Sequence, residues 1–198
     1  MMKMCKRMIC LVLLAVMALA LVACGKEEKP MRVEVEIEVA EYGTIRLKLD
    51  REKAPITVDN FLKLVEEGFY NGLTFHRAVE GFMIQGGDPN ADGTGHSAER
   101  IKGEFAENGV ENPISHTRGT ISMARSEDPN SASCQFFIMQ ENGFSLDGKY
   151  AAFGTVTEGM EVVDAICSDI KPRHTTEIGV ILDKERQPVI TEIRIIED

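Results

Sequence analysis

Two stretches at opposite ends of the body of this 198-residue chain alternate apolar and polar residues, and they constrain the fold more than anything else in it. Over residues 31–40, Val33, Val35, Ile37 and Val39 interleave with Arg32, Glu34, Glu36 and Glu38. Near the C-terminus, Val189-Ile190-Thr191-Glu192-Ile193-Arg194-Ile195 repeats the pattern. Successive side chains of a strand point to opposite faces, so each stretch reads as a half-buried strand. Tyr42-Gly43 then makes a turn, and Thr44-Ile45-Arg46-Leu47-Lys48-Leu49 returns with the same period. A hairpin follows, and the last strand is expected to pair with the first.

Between these ends the period changes. Over 56–67 the apolar residues Val58, Phe61, Leu62 and Val65 recur at three and four, with Pro55 near the start and Gly68 just past the end. Those are helix boundaries. A second helix is expected over 160–167, with Val162, Val163 and Ile166 apolar. Strands at both ends, two interrupting helices and glycine-rich loops predict a mainly β fold, an antiparallel barrel closed by its termini. Residues 168–187 are polar, contain Pro172, and read equally as a flexible excursion or an added strand pair.

The first two dozen residues stand apart from the fold. Lys3, Lys6 and Arg7 precede an uncharged apolar run over 8–23, the pattern of a secretory signal. The run is short for a membrane-spanning helix. It ends in Leu21-Val22-Ala23-Cys24-Gly25, which resembles a bacterial lipobox, where the cysteine is diacylated and becomes the new N-terminus. An ordinary cleaved signal with a chance cysteine is the alternative. The expected division is a lipoprotein signal over 1–23, a tether over 24–31 and one folded domain over 32–198, outside the cytoplasm and anchored to the cell membrane by its lipid.

Charge supports that division. The chain carries 22 basic and 32 acidic side chains, and removing the signal takes away three of the basic ones. So acidic a surface is repelled by phosphates, which argues against a nucleic-acid partner and against holding to anionic lipid by charge. Hydrophobic content of 43% with 27% charged residues excludes a disordered chain. Once Cys5, Cys10 and Cys24 are set aside, only Cys134 and Cys167 remain, both in apolar stretches. Two small buried thiols are the simpler reading, although a disulfide is permitted outside the cytoplasm.

Generic motifs carry little chemistry. Asp88, Asn90, Asp92, Gly93 and Glu99 match the calcium-loop pattern of an EF-hand, yet Gly86-Gly87 directly before them deny the entering helix. A polar turn-rich loop accounts for the same residues. His76, His96, His116 and His174 have no metal-ligand spacing, so neither a metal nor another cofactor is expected. No nucleophile elbow or phosphate loop is present.

What remains is a set of blocks in fixed order. They are Phe75-His76-Arg77; Gly81-Phe82-Met83-Ile84-Gln85-Gly86-Gly87-Asp88; Gly119-Thr120-Ile121-Ser122-Met123-Ala124-Arg125; Ser133-Cys134-Gln135-Phe136-Phe137-Ile138; and Leu146-Asp147-Gly148-Lys149-Tyr150-Ala151-Ala152-Phe153-Gly154. With these blocks the chain resembles a cyclophilin-type peptidyl-prolyl isomerase from about Val33 to Ile195. The resemblance implies a closed eight-stranded antiparallel β-barrel with a helix capping each end. Side chains fill the lumen of so small a barrel, which puts the site on its outer face.

The resemblance also implies roles. Arg77 is the catalytic cation, and Gln85 holds the moving carbonyl or orients Arg77. Phe82, Met83, Phe137 and Leu146 form the proline pocket, with Tyr150 as an aromatic wall where eukaryotic members carry histidine. Ala124 and Arg125 line the path of the residues before the proline, and Arg125, standing at an asparagine position of the family, is expected to favour acidic flanks. Ser145 replaces a tryptophan of the eukaryotic members, removing a large apolar contact that cyclosporin would use. The expected partners are proline-containing unfolded or extended polypeptides, and the protein is expected to be a monomer. A proline-peptide binding module with incidental turnover is the alternative.

Overall fold

A computed structural model describes residues 29–170 and 174–196. The signal, Cys24 and most of the tether lie outside the described residues. Eight strands form one antiparallel sheet. In chain order they are β1 (Arg32–Val39), β2 (Gly43–Asp50), β3 (Phe75–Val79), β4 (Met83–Gly86), β5 (Thr120–Met123), β6 (Phe136–Met139), β7 (Ala152–Glu158) and β8 (Ile190–Ile196). Two α-helices are described, α1 (Pro55–Glu66) and α2 (Met160–Asp169).

The alternating stretches are the paired strands the sequence predicts. β1 runs antiparallel to β2 from Arg32 opposite Asp50 to Val39 opposite Gly43, and β8 pairs along its other edge with Ile37 opposite Ile193. Val35, Ile37, Ile45, Leu47 and Leu49 are fully buried on the inner face. Glu36 breaks the alternation, because Arg46 on β2 and Arg194 on β8 close over its carboxylate and leave the residue only 7% exposed. Two guanidinium groups thus pair with the carboxylate where water is largely excluded.

The α1 periodicity delivers Val58, Phe61, Leu62 and Val65 to the core. There Phe61 meets Phe136 edge-on with ring centroids 5.6 Å apart and Phe153 at 5.3 Å, while Tyr70 packs on Phe136 at 5.5 Å and donates its hydroxyl to the Cys134 carbonyl. Aromatic rings bury the largest areas per residue, so this cluster is the centre of the fold. Cys134 and Cys167 are both free and buried. Burial pushes both thiols up, that of Cys167 to about 12, with Asp164 and Glu80 adding to the effect there.

The sheet is not the closed barrel expected. Its order is β3-β4-β6-β5-β7-β2-β1-β8, and no ladder joins β8 back to β3, so it is a curled half-barrel. The two edges meet at their ends alone, where Thr74 bridges Val189, the Phe75 N–H donates to the Pro188 carbonyl at 2.9 Å, and Ile190 exchanges backbone hydrogen bonds with Gly72 and Leu73. The reason lies in the segment that resisted reading. Residues 174–182 fold back with Thr175 bridging Ile181, and they take the free edge of β3 for themselves. The Ala78 N–H donates to the Gly179 carbonyl at 3.0 Å, the Ile181 N–H donates to the His76 carbonyl at 2.8 Å, and Val180 bridges Arg77. An edge strand presents one row of backbone groups, and a row already used cannot accept β8. The excursion thus acts as added strand pairing, one of its two expected readings.

Candidate active site

Strand alternation separates the core from a second apolar patch. On β6, Phe136 and Ile138 belong to the main core, whereas Phe137 and Met139 turn the other way and join Met83 of β4. Val79, Phe82, Ala124, Leu146 and Tyr150 pack against this second cluster. The outward patch expected on the sheet is therefore built by single-residue steps along β4 and β6.

Arg77 and Gln85 lie directly opposite each other across the β3–β4 ladder. The Arg77 Nη1 donates to Gln85 Oε1 at 3.0 Å, and the Gln85 Nε2 donates to Gln135 Oε1 at 2.9 Å. Gln135 Nε2 in turn donates to the carbonyls of Gly95 at 2.7 Å and Gly93 at 3.2 Å. Every link runs donor to acceptor in one direction, which fixes both amides and leaves Gln85 no freedom to flip. On its other side the guanidinium donates from Nε to the Ile178 carbonyl at 2.6 Å. Burial pulls the Arg77 pKa down from the arginine range, with Tyr150 acting the opposite way, and the group stays charged at neutral pH.

One cleft of about 460 Å³ brings together Arg77, Phe82, Met83, Gln85, Ala124, Arg125, Phe137, Leu146 and Tyr150, every side chain the sequence singled out for substrate. Phe137 and Tyr150 meet edge-on at 5.8 Å. Beneath Phe137 lies the fully buried His116, its ring nearly parallel at 5.9 Å. The His116 Nδ1 meets Asp147 Oδ1 at 2.9 Å and the Nε2 meets Ser122 Oγ at 3.0 Å, so the ring is held at both ends. Burial keeps its pKa below the ordinary value, with Asp147 acting the opposite way. It forms a rigid floor for the phenylalanine. Ser145 sits exposed in the short turn Phe144–Leu146.

Three findings differ from the sequence reading. Arg125 lines the cleft, but its Nε is spent on the Lys149 carbonyl at 3.0 Å and its Nη1 on that of Ser126 at 2.8 Å. Its guanidinium lies 4.7 Å over Tyr150 and 5.1 Å over Phe105, so it braces the aromatic wall, and a cation so engaged gives little support to a preference for acidic flanks. Gln135, never assigned a role, completes the amide chain; its place two residues before Phe137 in the block over 133–138 was the available signal. Ile178 and Val180, also on the cleft, had none. The apparent calcium loop supplies Asp92, Gly93 and Thr94 to the cleft rim. The carboxylate of Asp88 is turned onto the N–H groups of Asn90, Asp92 and Gly93, and no cluster able to hold a metal occurs among the described residues.

A rigid guanidinium thus stands beside an apolar cleft on the outer face of an eight-stranded half-barrel with two described helices. The family model described as cyclophilin type peptidyl-prolyl cis-trans isomerase/CLD matches residues 34–195. The chain belongs to that family and is a cyclophilin-type peptidyl-prolyl cis-trans isomerase. Among its relatives, peptidyl-prolyl cis-trans isomerase B of Escherichia coli is 43% identical over 161 residues, covering 76% of this chain and 92% of the relative. A peptidyl-prolyl cis-trans isomerase of Helicobacter pylori is 43% identical over 143 residues, covering 71% and 85%. A crystal structure of a Cryptosporidium parvum cyclophilin-type isomerase superposes with a TM-score of 0.72 at 27% identity, covering 84% of this chain and 99% of the other. The same protein has been crystallised in the presence of the dipeptide Ala-Pro.

Proposed function

We propose that this isomerase acts on X-Pro bonds of exported or surface polypeptides while held at the cell membrane by a lipid on Cys24, and that it works by electrostatic stabilisation of the twisted amide. The cis and trans forms of an X-Pro bond differ by only about 1 kcal/mol but are separated by a barrier of about 18–20 kcal/mol. Uncatalysed exchange therefore takes tens of seconds at room temperature. No bond is made or broken, so no nucleophile or general base is called for. The barrier is amide resonance, and it falls when the nitrogen lone pair is localised by a donor as the bond twists.

In this reading Arg77 donates toward the prolyl nitrogen and the substrate carbonyl, and Gln85 orients it. Phe82, Met83, Phe137 and Leu146 seat the proline ring with Tyr150 as the wall, and the residues before the proline run past Ala124 and Arg125. The observation that carries the mechanism is a charged, doubly anchored guanidinium beside the apolar cleft that holds Phe82 and Phe137. A charge that needs no titration and no reorganisation suits a transition state reached by twisting one bond, in which the lone pair withdraws onto nitrogen and no proton is transferred. The Ala-Pro dipeptide present with the Cryptosporidium parvum relative supports proline-containing partners. A pure binder of proline segments would need only the apolar cleft; the Arg77–Gln85 pair favours turnover.

A protease-coupled assay of a proline peptide on the detergent-solubilised protein separates the two. The enzyme at about one part per thousand of substrate accelerates all of the slow phase, whereas a binder at that ratio protects a trivial fraction. Acceleration that disappears below stoichiometric protein would overturn catalysis.

The lipid reading rests on the lipobox resemblance at 21–24. Each buried CH₂ contributes about 0.8 kcal/mol, so two acyl chains hold a domain stably where its acidic surface cannot. A tether over 24–31 extends by at most about 3.5 Å per residue, which keeps the cleft close to the bilayer, where exported chains emerge. Radiolabelled palmitate is expected to mark the wild-type protein in its bacterial host and to leave Cys24→Ala unlabelled. Equal labelling of both, or of neither, refutes the anchor.

A further inference from the structure

The excursion over 174–182 sits on the edge of the catalytic strand, and one of its two most exposed apolar side chains, Ile178, borders the cleft. Ile178 is 65% exposed and continues the apolar lining of the site, so a side chain of bound substrate can cover it. It lies on the cleft that holds Arg77 and Phe82, and Val180 joins it there. Its backbone is fixed, because the Ile178 carbonyl receives Arg77 Nε and the next residue pairs with Ala78. Gly179 makes that approach possible. Its φ is +90°, and a β-carbon there would fall 2.4 Å from Val79 Cγ2 and 2.9 Å from the Ala78 carbonyl oxygen.

The position along the cleft can be ordered. A smaller adjoining cleft shares Gln85, Gly93, Thr94, Ala124 and Arg125 with the main one, and Ile178 and Val180 do not reach it. Arg77 turns Nη1 toward Gln85 and Nε toward Ile178. The sequence of features is therefore Ala124 and Arg125, then Gln85, then Arg77, then Ile178. If the residues before the proline pass Ala124, the residue after it leaves past Ile178.

We propose that Ile178 and Val180 form a subsite for the residue that follows the proline, and that this subsite selects a large apolar side chain there. The inference rests on the substrate direction given under the proposed function. An apolar side chain laid against Ile178 removes both surfaces from water, and discrimination by one such contact is on the order of tenfold.

The test uses exchange NMR on the full-length protein in detergent, which reads cis–trans turnover without a protease that has its own preference after proline. The substrates are Ala-Ala-Pro-Leu and Ala-Ala-Pro-Ala, with Ala-Leu-Pro-Ala as the third peptide. The wild-type protein is expected to show kcat/KM about tenfold higher for Pro-Leu than for Pro-Ala. Ile178→Ser keeps the backbone carbonyl that holds Arg77 and is expected to reduce that ratio to about twofold; Ile178→Leu is expected to restore it. A wild-type ratio near one, or a ratio that Ile178→Ser leaves untouched, overturns the subsite while both peptides are still turned over. A preference that appears with Ala-Leu-Pro-Ala instead overturns the direction, and the subsite with it. Exchange enhancement of no peptide at all would be a failure of the isomerase reading itself.

Discussion

Arg77→Ala is expected to lower kcat/KM for a proline peptide by on the order of 100-fold while leaving the protein folded. The magnitude follows from removing a donor aimed at developing charge, which costs about 3 kcal/mol, and each 1.4 kcal/mol is about a factor of ten. Folding survives because the guanidinium lies at the cleft and its partners keep other bonds: Gln85 still donates to Gln135, and the 174–182 segment still pairs with Ala78 and His76 through backbone groups. Arg77→Lys is the sharper probe. Lysine keeps the charge, but a single ammonium has no planar fork with which to hold Gln85 on one side and the Ile178 carbonyl on the other. It is expected to recover less than about a tenth of the activity. Phe82→Ala serves as the contrast, since it removes apolar wall and acts chiefly on KM. Activity of Arg77→Ala within about threefold of wild type would refute the electrostatic mechanism.

What the sequence made legible follows the range over which its signals act. Period-two alternation is local, so β1, β2 and β8 are predicted within a residue or two of where they lie, and the β1–β8 pairing with them. The outward placement of Phe137 is legible for the same reason, because Phe136 beside it must face the core. Closure of the sheet is not a local property. It depends on whether β3 offers β8 a free edge, and that edge is taken by a segment about a hundred residues further along the chain. Ile178 was silent for this reason: nothing near it in sequence marks it as Arg77's neighbour. Arg125 shows a different limit. Its charge could be read, but whether the charge faces a peptide or is absorbed by Tyr150, Phe105 and three carbonyls is a matter of packing.

The same range limit hides a contact on which the stability of the fold depends. Helix α1 begins at Pro55, and its flanking residue Ala54 has no side chain to cap the first turn. Proline needs no acceptor, but the N–H groups of Ile56 and Thr57 do. Glu104, only 2% exposed, supplies both acceptors from 47 residues away. Its Oε1 accepts from the Ile56 N–H at 3.1 Å, and its Oε2 accepts from the Thr57 N–H at 2.8 Å and from the Thr57 hydroxyl at 2.7 Å. A carboxylate at a helix N-terminus is favoured by the helix dipole as well as by its hydrogen bonds. Glu104→Ala removes all of this at once and strands the donors of Thr57, which is fully buried. Each buried unsatisfied group costs about 1–3 kcal/mol, so the expected loss is about 3 kcal/mol, or about 6–12 °C in Tm for a domain of this size. Because α1 carries Phe61 into the aromatic cluster, the loss is global rather than confined to a fraying end. Glu104→Gln keeps one oxygen but sets an amide donor against backbone N–H groups, and its loss falls between wild type and alanine. Urea denaturation checks the order: the midpoint should fall from wild type to glutamine to alanine with the slope unchanged. If Glu104→Ala stays within about 1 kcal/mol of wild type, water replaces the carboxylate at the helix start and the buried cap is not what holds α1 in place.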